Sequence, residues 1–230
     1  MHLHIKTLAN IATRYAPSRV LSFELVHIFK ALQLMEKKGH VSRALLCREL
    51  FLGEGAIKTL VKHLRIQGLI VSTNAGTIMT KKGKDIFSEL FRSIPSEIAI
   101  PKCSIALGTF NYVVLLKGYN SAIKSGIEQR DAAIKAGALG ATTLLFEDSK
   151  FVMPIVPILS KDLNNNPLQN EPKIQRFLIE KLKPEKNDVI IIGSSNKNKM
   201  GAEFAAKNAA LITIMNHKRH NNNEQCLPNT

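Results

Sequence analysis

Lys58, Thr59, Lys62, His63 and Arg65 fall within eight consecutive residues, and their side chains are of the kinds that pair with phosphate oxygens and base edges. Between them, Ile57, Leu60, Val61 and Leu64 recur at intervals of three, one and three, the stripe by which one face of a helix packs on a core. The polar set is then expected on the opposite, solvent-facing side. Its chemistry suits a helix lying in the major groove of double-stranded DNA.

Two further groups could hold an anion. Arg130 stands among Glu128, Gln129 and Asp131 at the expected start of a helix, where a guanidinium can bind a carboxylate or phosphate through two parallel bonds, or can pair with a neighbouring acid. Gly193, Ser194, Ser195 and Asn196 follow an apolar strand and precede Lys197 and Lys199, so they could offer N–H groups and hydroxyls to a phosphate, or form an ordinary turn. The spacing matches neither a Walker A loop nor a dinucleotide loop. With no Ser-His-Asp, Cys-His or His-Glu-x-x-His signature, no catalytic residue and no cofactor are expected, and the protein is not read as an enzyme. Cys47, Cys103 and Cys226 lack the spacing of a disulfide framework or a zinc site. His2-x-His4 and His217-x-x-His220 have no further ligands nearby and read as polar ends.

The elements that must position the first group are short. Ser22 is expected to cap a helix over 23–37 whose Leu25, Phe29, Leu32 and Met35 face a core, and Ser42 a helix with Ala44, Leu45, Cys47 and Leu50 inward. Gly53 and Gly55 permit a tight reversal into the basic helix, which Gly68 ends as a left-handed cap. Residues 69–72 and 77–79 flank Thr73-Asn74-Ala75-Gly76 as a hairpin whose Asn74 would reach the adjacent backbone or minor groove. Thr80 then caps a helix whose first turn carries Lys81, Lys82 and Lys84. Each cation there opposes the helix dipole by about 0.3–1 kcal/mol, which a DNA phosphate would offset.

Residues 57–87 resemble the winged-helix regions of bacterial sugar-responsive repressors of the central glycolytic gene regulator type, through the Gly68-Leu69-Ile70 step and Met79-Thr80-Lys81-Lys82-Gly83. That resemblance implies a winged helix-turn-helix. A protein-docking winged helix has the same outline and remains open beside the DNA-binding one.

The rest alternates strand and helix: strands at 112–116, 142–146, 151–156 and 189–192, helices at 120–136, 172–182 and 199–208, and a last strand at 211–215. Alternation of this kind predicts an α/β sandwich with a mixed or mostly parallel sheet. Pro95 and Pro101 mark a linker with a boundary near residue 97. The expected organisation is a two-domain α/β protein: a winged helix over 20–96, an effector-binding or dimerisation domain over 102–216, and a disordered basic tail over 217–230. Taken together, YVVLLKG, GIEQRDAAIKAGALGATTLLFED and DVIIIGSS after a winged helix resemble an archaeal family of uncharacterised winged-helix proteins with a C-terminal domain of unknown function. The resemblance implies a regulator and supplies no substrate.

Composition agrees with a folded DNA-binding chain. Of the formal charge of +14, residues 1–95 hold +9, from fifteen Lys and Arg against six Asp and Glu. Such a balance draws polyanions in a salt-dependent way. No apolar run approaches a transmembrane length, and the first residues lack a leader pattern, so a cytoplasmic protein is expected. The expected partners are DNA, a small anionic effector and a second copy of the chain, with a small-molecule enzyme as the alternative for the C-terminal half.

Overall fold

The structure, a computed structural model, describes residues 2–12, 21–154 and 166–224, the side chains of residues 2–4, 6 and 218–224 excepted. It divides into two units, Met1–Phe91 and Arg92–Thr230.

Unit 1 begins with α1 (His2–Ile11), α2 (Leu25–Lys38), α3 (Arg43–Leu50) and α4 (Glu54–Ile66). The first of these corrects the expectation of a polar end, since Ile5, Leu8 and Ile11 recur every three residues and are buried. In α2 the four expected core residues are buried, but the cap is Glu24 rather than Ser22, and His27 Nδ1 accepts the Glu24 N–H at 3.1 Å. Ser42 Oγ caps α3 by accepting the Leu45 N–H. The inward face of α3 agrees with expectation at Leu50, while Leu45 and Cys47 are half-buried and Leu46 takes the second core position. Leu46 and Leu50, one helical turn apart, are buried and Ala44 is exposed.

The reversal between α3 and α4 is not made by its glycines. Phe51 takes the left-handed conformation at φ 52°, Gly53 is the extended N-cap of α4, and Gly55 is helical. The far end of α4 closes in a Schellman motif: the Gly68 N–H donates to Arg65 O, the Leu69 N–H to Leu64 O, and the Leu64 and Leu69 side chains are both buried. Leu69 leads into β1 (Ile70–Thr73), which pairs antiparallel with β2 (Gly76–Met79). Gly76, not Asn74, takes the positive φ, because a Cβ there would lie 3.0 Å from Val41 O. Val41 bridges to Thr77 through both backbone bonds and so adds a third rung beside β2.

Helix α5 (Lys81–Ser93) is locked onto this hairpin. Thr80 Oγ1 accepts the Gly83 N–H and donates to Gly68 O at 2.6 Å. Gly83 lies so near Leu69 that a Cβ would sit 2.1 Å from its carbonyl oxygen.

Unit 2 comprises β3 (Glu97–Ile100), β4 (Phe110–Leu116), a 3-10 turn at Asn120–Ala122, α6 (Ile127–Lys135), β5 (Gly140–Glu147), β6 (Lys150–Val152), α7 (Pro172–Leu182), β7 (Asp188–Ser195) and α8 (Lys199–Glu224). Its five strands run in the order β3-β4-β7-β5-β6, and every neighbouring pair is antiparallel. The expected mixed or mostly parallel sheet is therefore corrected. All eight residues of β7 are buried, because α7 covers one face of the sheet and α6 and α8 the other. A strand enclosed on both faces reads as a continuous apolar run whichever way its neighbours point.

Three further expectations change. Residues 97–100 are an edge strand, not a linker. Residues 211–215 belong to α8, where Thr213 Oγ1 bonds back to Ala209 O and Leu211 and Ile214 pack inward. The tail expected to be disordered from 217 continues this helix through Glu224, while residues 225–230 lie outside the described residues. The strand expected over 151–156 is described to residue 154 and ends at Val152.

Helix α8 buries a cation. Lys207, fully enclosed, places Nζ 2.9 Å from Glu97 Oε1 and 2.5 Å from Glu203 Oε1, with the Tyr112 ring 5.7 Å away. Tyr112 donates its hydroxyl to Glu97, and burial followed by the two carboxylates pushes its pKa well above the ordinary phenol value.

Gly83→Ala is expected to cost about 3 kcal/mol, since backbone must move to admit the methyl group, and urea denaturation should register it. Lys207→Met leaves two carboxylates facing without their cation and is expected to cost about 3 kcal/mol or more by the same measurement.

Candidate functional site

On α4 the apolar stripe is fixed as expected, with Ile57, Leu60, Val61 and Leu64 buried. Lys58, Lys62 and Arg65 are exposed, and their spacing of four and three aligns them along one face. Thr59 is half-buried, and its hydroxyl is bonded to Gly55 O at 2.9 Å.

His63 departs from the set. It is 7 % exposed, its Nδ1 lies 3.0 Å from Ile11 O, and its ring meets Phe23 edge-on. The reason is angular: a helix turns about 100° per residue, so position 63 falls beside Leu60 and Leu64 on the flank that α1 covers. Nothing before Leu25 read as core in the sequence, so that flank looked open.

The other basic positions divide in the same way. Lys81 and Lys84 are exposed in the first turn of α5. Lys82 donates to Gln67 O at 2.8 Å, beyond the last residue of α4, so a carbonyl at a helix C-terminus offsets its placement there. Asn74 is exposed at the hairpin tip.

In unit 2, Gly193, Ser194 and Ser195 end β7 rather than following it, and their polar groups are satisfied from within. Ser194 Oγ donates to Asn111 Oδ1 and accepts the Leu107 N–H, Ser195 Oγ accepts the Lys197 N–H, and Asn196 Oδ1 accepts from the N–H and hydroxyl of Thr109. Gly193 serves packing, since a Cβ would lie 2.4 Å from Ala202 O and Ala206 N.

Arg130 is different. It is about half exposed, pairs with Asp131 at 3.0 Å, and lines a cleft with Gly126 and Thr143. Its stem crosses Gly140, whose Cβ would lie 3.5 Å from Arg130 Cγ. Although Gly140 pairs with Ser194 across the sheet, the two expected anion groups do not merge, because the Ser194 hydroxyl is spent on Asn111.

Burial, then the nearby Glu171 carboxylate, raises the Cys103 pKa, which disfavours a thiolate. Among the described residues no three metal-binding side chains converge, and His217 packs its ring edge-on to Tyr119. No helix of the described residues is long and apolar enough to cross a membrane.

Residues 107–214 match the family model of a domain of unknown function, DUF4443. A hypothetical protein from the archaeon Pyrococcus horikoshii OT3 has a similar structure, with a TM-score of 0.63 and 23 % identity over 84 % of this chain and 93 % of that one. At that identity the likeness concerns fold alone. No curated protein matches the chain. The findings agree with the expected C-terminal domain of unknown function and with an archaeal structural neighbour, and they carry nothing on repressors.

His27 makes unit 1 sensitive to pH. Burial lowers the His27 pKa from 6.5 to about 4, with a smaller opposing contribution from the Glu24 backbone. The unfolded chain therefore binds a proton that the folded one refuses, and stability falls as pH drops from about 6.5 to about 4. Full development of that loss is about 3 kcal/mol. Thermal melts across this range should show the decline, and His27→Gln should flatten it.

Proposed function

We propose that the chain is a DNA-binding transcriptional regulator in which unit 1 is a winged helix and α4 enters the major groove. The observation that carries this reading is the exposed line of Lys58, Lys62 and Arg65 on a helix whose opposite face is anchored in a core. The order of α2, α3, α4, β1 and β2 supports it, as does the rung that Val41 adds to the hairpin, which gives a wing three backbone strands wide at its base. Asn74 stands at the wing tip, within reach of the backbone beside the groove. Lys81 and Lys84 add charge for phosphates. Unit 2 serves as the sensing half, which binds a small anion, joins two copies of the chain, or does both.

A second reading, docking to a protein, draws on three exposed apolar side chains of unit 1: Phe51 at 68 %, Ile66 at 60 % and Val71 at 43 %. Phe51 also holds a left-handed conformation, which costs a non-glycine residue about 1–2 kcal/mol and here gains no burial in return.

Selection of genomic fragments with the full chain, followed by titration at several salt concentrations, separates these readings. A regulator acting as a homodimer should enrich a palindromic site. Lys62→Ala should then weaken binding on every sequence and lower the salt slope by about 1, and Arg65→Ala should weaken it about tenfold or more. Unchanged affinity in both variants with unchanged melting removes α4 from the interface. Absence of DNA enrichment, with salt-insensitive capture of a protein that Phe51→Ser abolishes, favours docking.

A further inference from the structure

The start of α6 carries a combination that packing does not explain. Its N-cap is Gly126 at φ 75°, which has no side chain to receive the N–H groups of the first turn. Beneath it stands Thr143 of β5, 4 % exposed, whose Oγ1 has no hydrogen-bond partner among the described residues. A Cβ on Gly126 would lie 3.3 Å from Thr143 Cβ and 3.5 Å from Thr143 Oγ1, so this hydroxyl faces the helix start directly. One turn along α6, Arg130 borders the same cleft of about 190 Å³, and Ile127, Met153 and Pro154 supply apolar walls. An enclosed hydroxyl without a partner destabilises a fold unless something bonds to it.

We propose that this cleft binds a small aliphatic carboxylate, with Arg130 and Thr143 as its polar clamp. The planar guanidinium suits two parallel bonds to one carboxylate, the Thr143 hydroxyl donates to it, and the open N–H groups of α6 favour negative charge at that end. The apolar walls take a short branched or linear chain, and the volume excludes nucleotides and larger cofactors. Charge selects a monoanion. Asp131 already holds Arg130 at 3.0 Å and Glu128 lies in the same helical turn, so a dianion such as phosphate meets two acids against one base. The ligand displaces Asp131 from the guanidinium rather than adding to it. This assignment rests on unit 2 as the sensing half but not on any DNA contact.

The test uses the full chain, with isovalerate as probe and inorganic phosphate as control, followed by amide chemical shifts and melting without DNA. Saturable isovalerate binding is expected, with the shifts centred on Gly126–Arg130 and Thr143. Arg130→Gln should weaken it about tenfold or more, as loss of a charge-assisted pair requires. Asp131→Asn should tighten it by freeing the guanidinium. Thr143→Val should weaken binding severalfold while raising the melting temperature, since it removes a buried polar group. A purely structural Thr143 would move stability and leave binding untouched, which overturns its role. No saturable binding, binding unchanged in Arg130→Gln, or binding of phosphate in preference to isovalerate overturns the proposal. Because DNA is absent, these outcomes leave the reading of unit 1 where it stood.

Discussion

Unit 2 depends on how closely α8 approaches β7. At Gly193 the strand has no side chain, and the space a Cβ would need is taken by Ala202 O and Ala206 N, each 2.4 Å from it. Ala202, Ala205, Ala206, Ala209 and Ala210 keep the facing side of α8 small and fully buried. That approach sets the positions of the polar groups α8 carries. Lys207 reaches Glu97 and Tyr112, tying edge strand β3 and strand β4 to the helix, while Asn208 donates to Ala132 O and Thr213 Oγ1 receives Gln129 Nε2. The last two bonds fix α6, and with it the placement of Gly126 above Thr143. A strand-to-helix packing distance is thus transmitted to a cleft whose residues lie far earlier along the chain.

Unit 1 solves a similar problem with backbone caps instead of side-chain volume. The Schellman turn at Gly68 directs Leu69 into the hairpin, and Thr80 and Gly83 return α5 onto that turn. Lys82 completes it by bonding Gln67 O. The path from α4 to α5 is therefore fixed from both ends, so the exposed line on α4 is held by rigid neighbours. Rigidity of this kind is what a surface that must match a fixed partner requires.

What the sequence made legible followed from local rules. Ser42, Gly68 and Thr80 announced their caps, and the stripe of α4 announced which face is buried, because capping and amphipathic period act within a few residues. The two-residue turn at Asp148 and Ser149, both at positive φ between β5 and β6, is likewise a local feature. What stayed hidden depends on distant partners. The direction of the strands beside β7 leaves no mark on a strand buried on both faces. The run at 211–215, with β-branched Ile212, Thr213 and Ile214 at its centre, looks like a strand until its alanine-rich neighbours place it on a helix, where tertiary packing outweighs propensity. His63 looked like a DNA contact because α1, which covers it, lies far away along the chain, and nothing local to α4 announces that contact.

The same contrast separates the two buried polar arrangements of unit 2. Around Lys207 every partner is supplied: two carboxylates meet one ammonium, and the phenol of Tyr112 stays neutral and donates. Such a set ties β3, β4 and α8 together and leaves little for a ligand, since the ammonium meets both carboxylates and the lysine is sealed from solvent. Ser194 belongs to this class as well, its hydroxyl shared between Asn111 and Leu107. Thr143 does not. Its hydroxyl lies as deep as these groups but opens toward a helix start and an arginine, and evolution could have placed a valine there at no cost to packing. A buried hydroxyl left without a partner beside that helix start distinguishes the cleft from the ion network and from the serines of β7, whose hydroxyls are bonded internally.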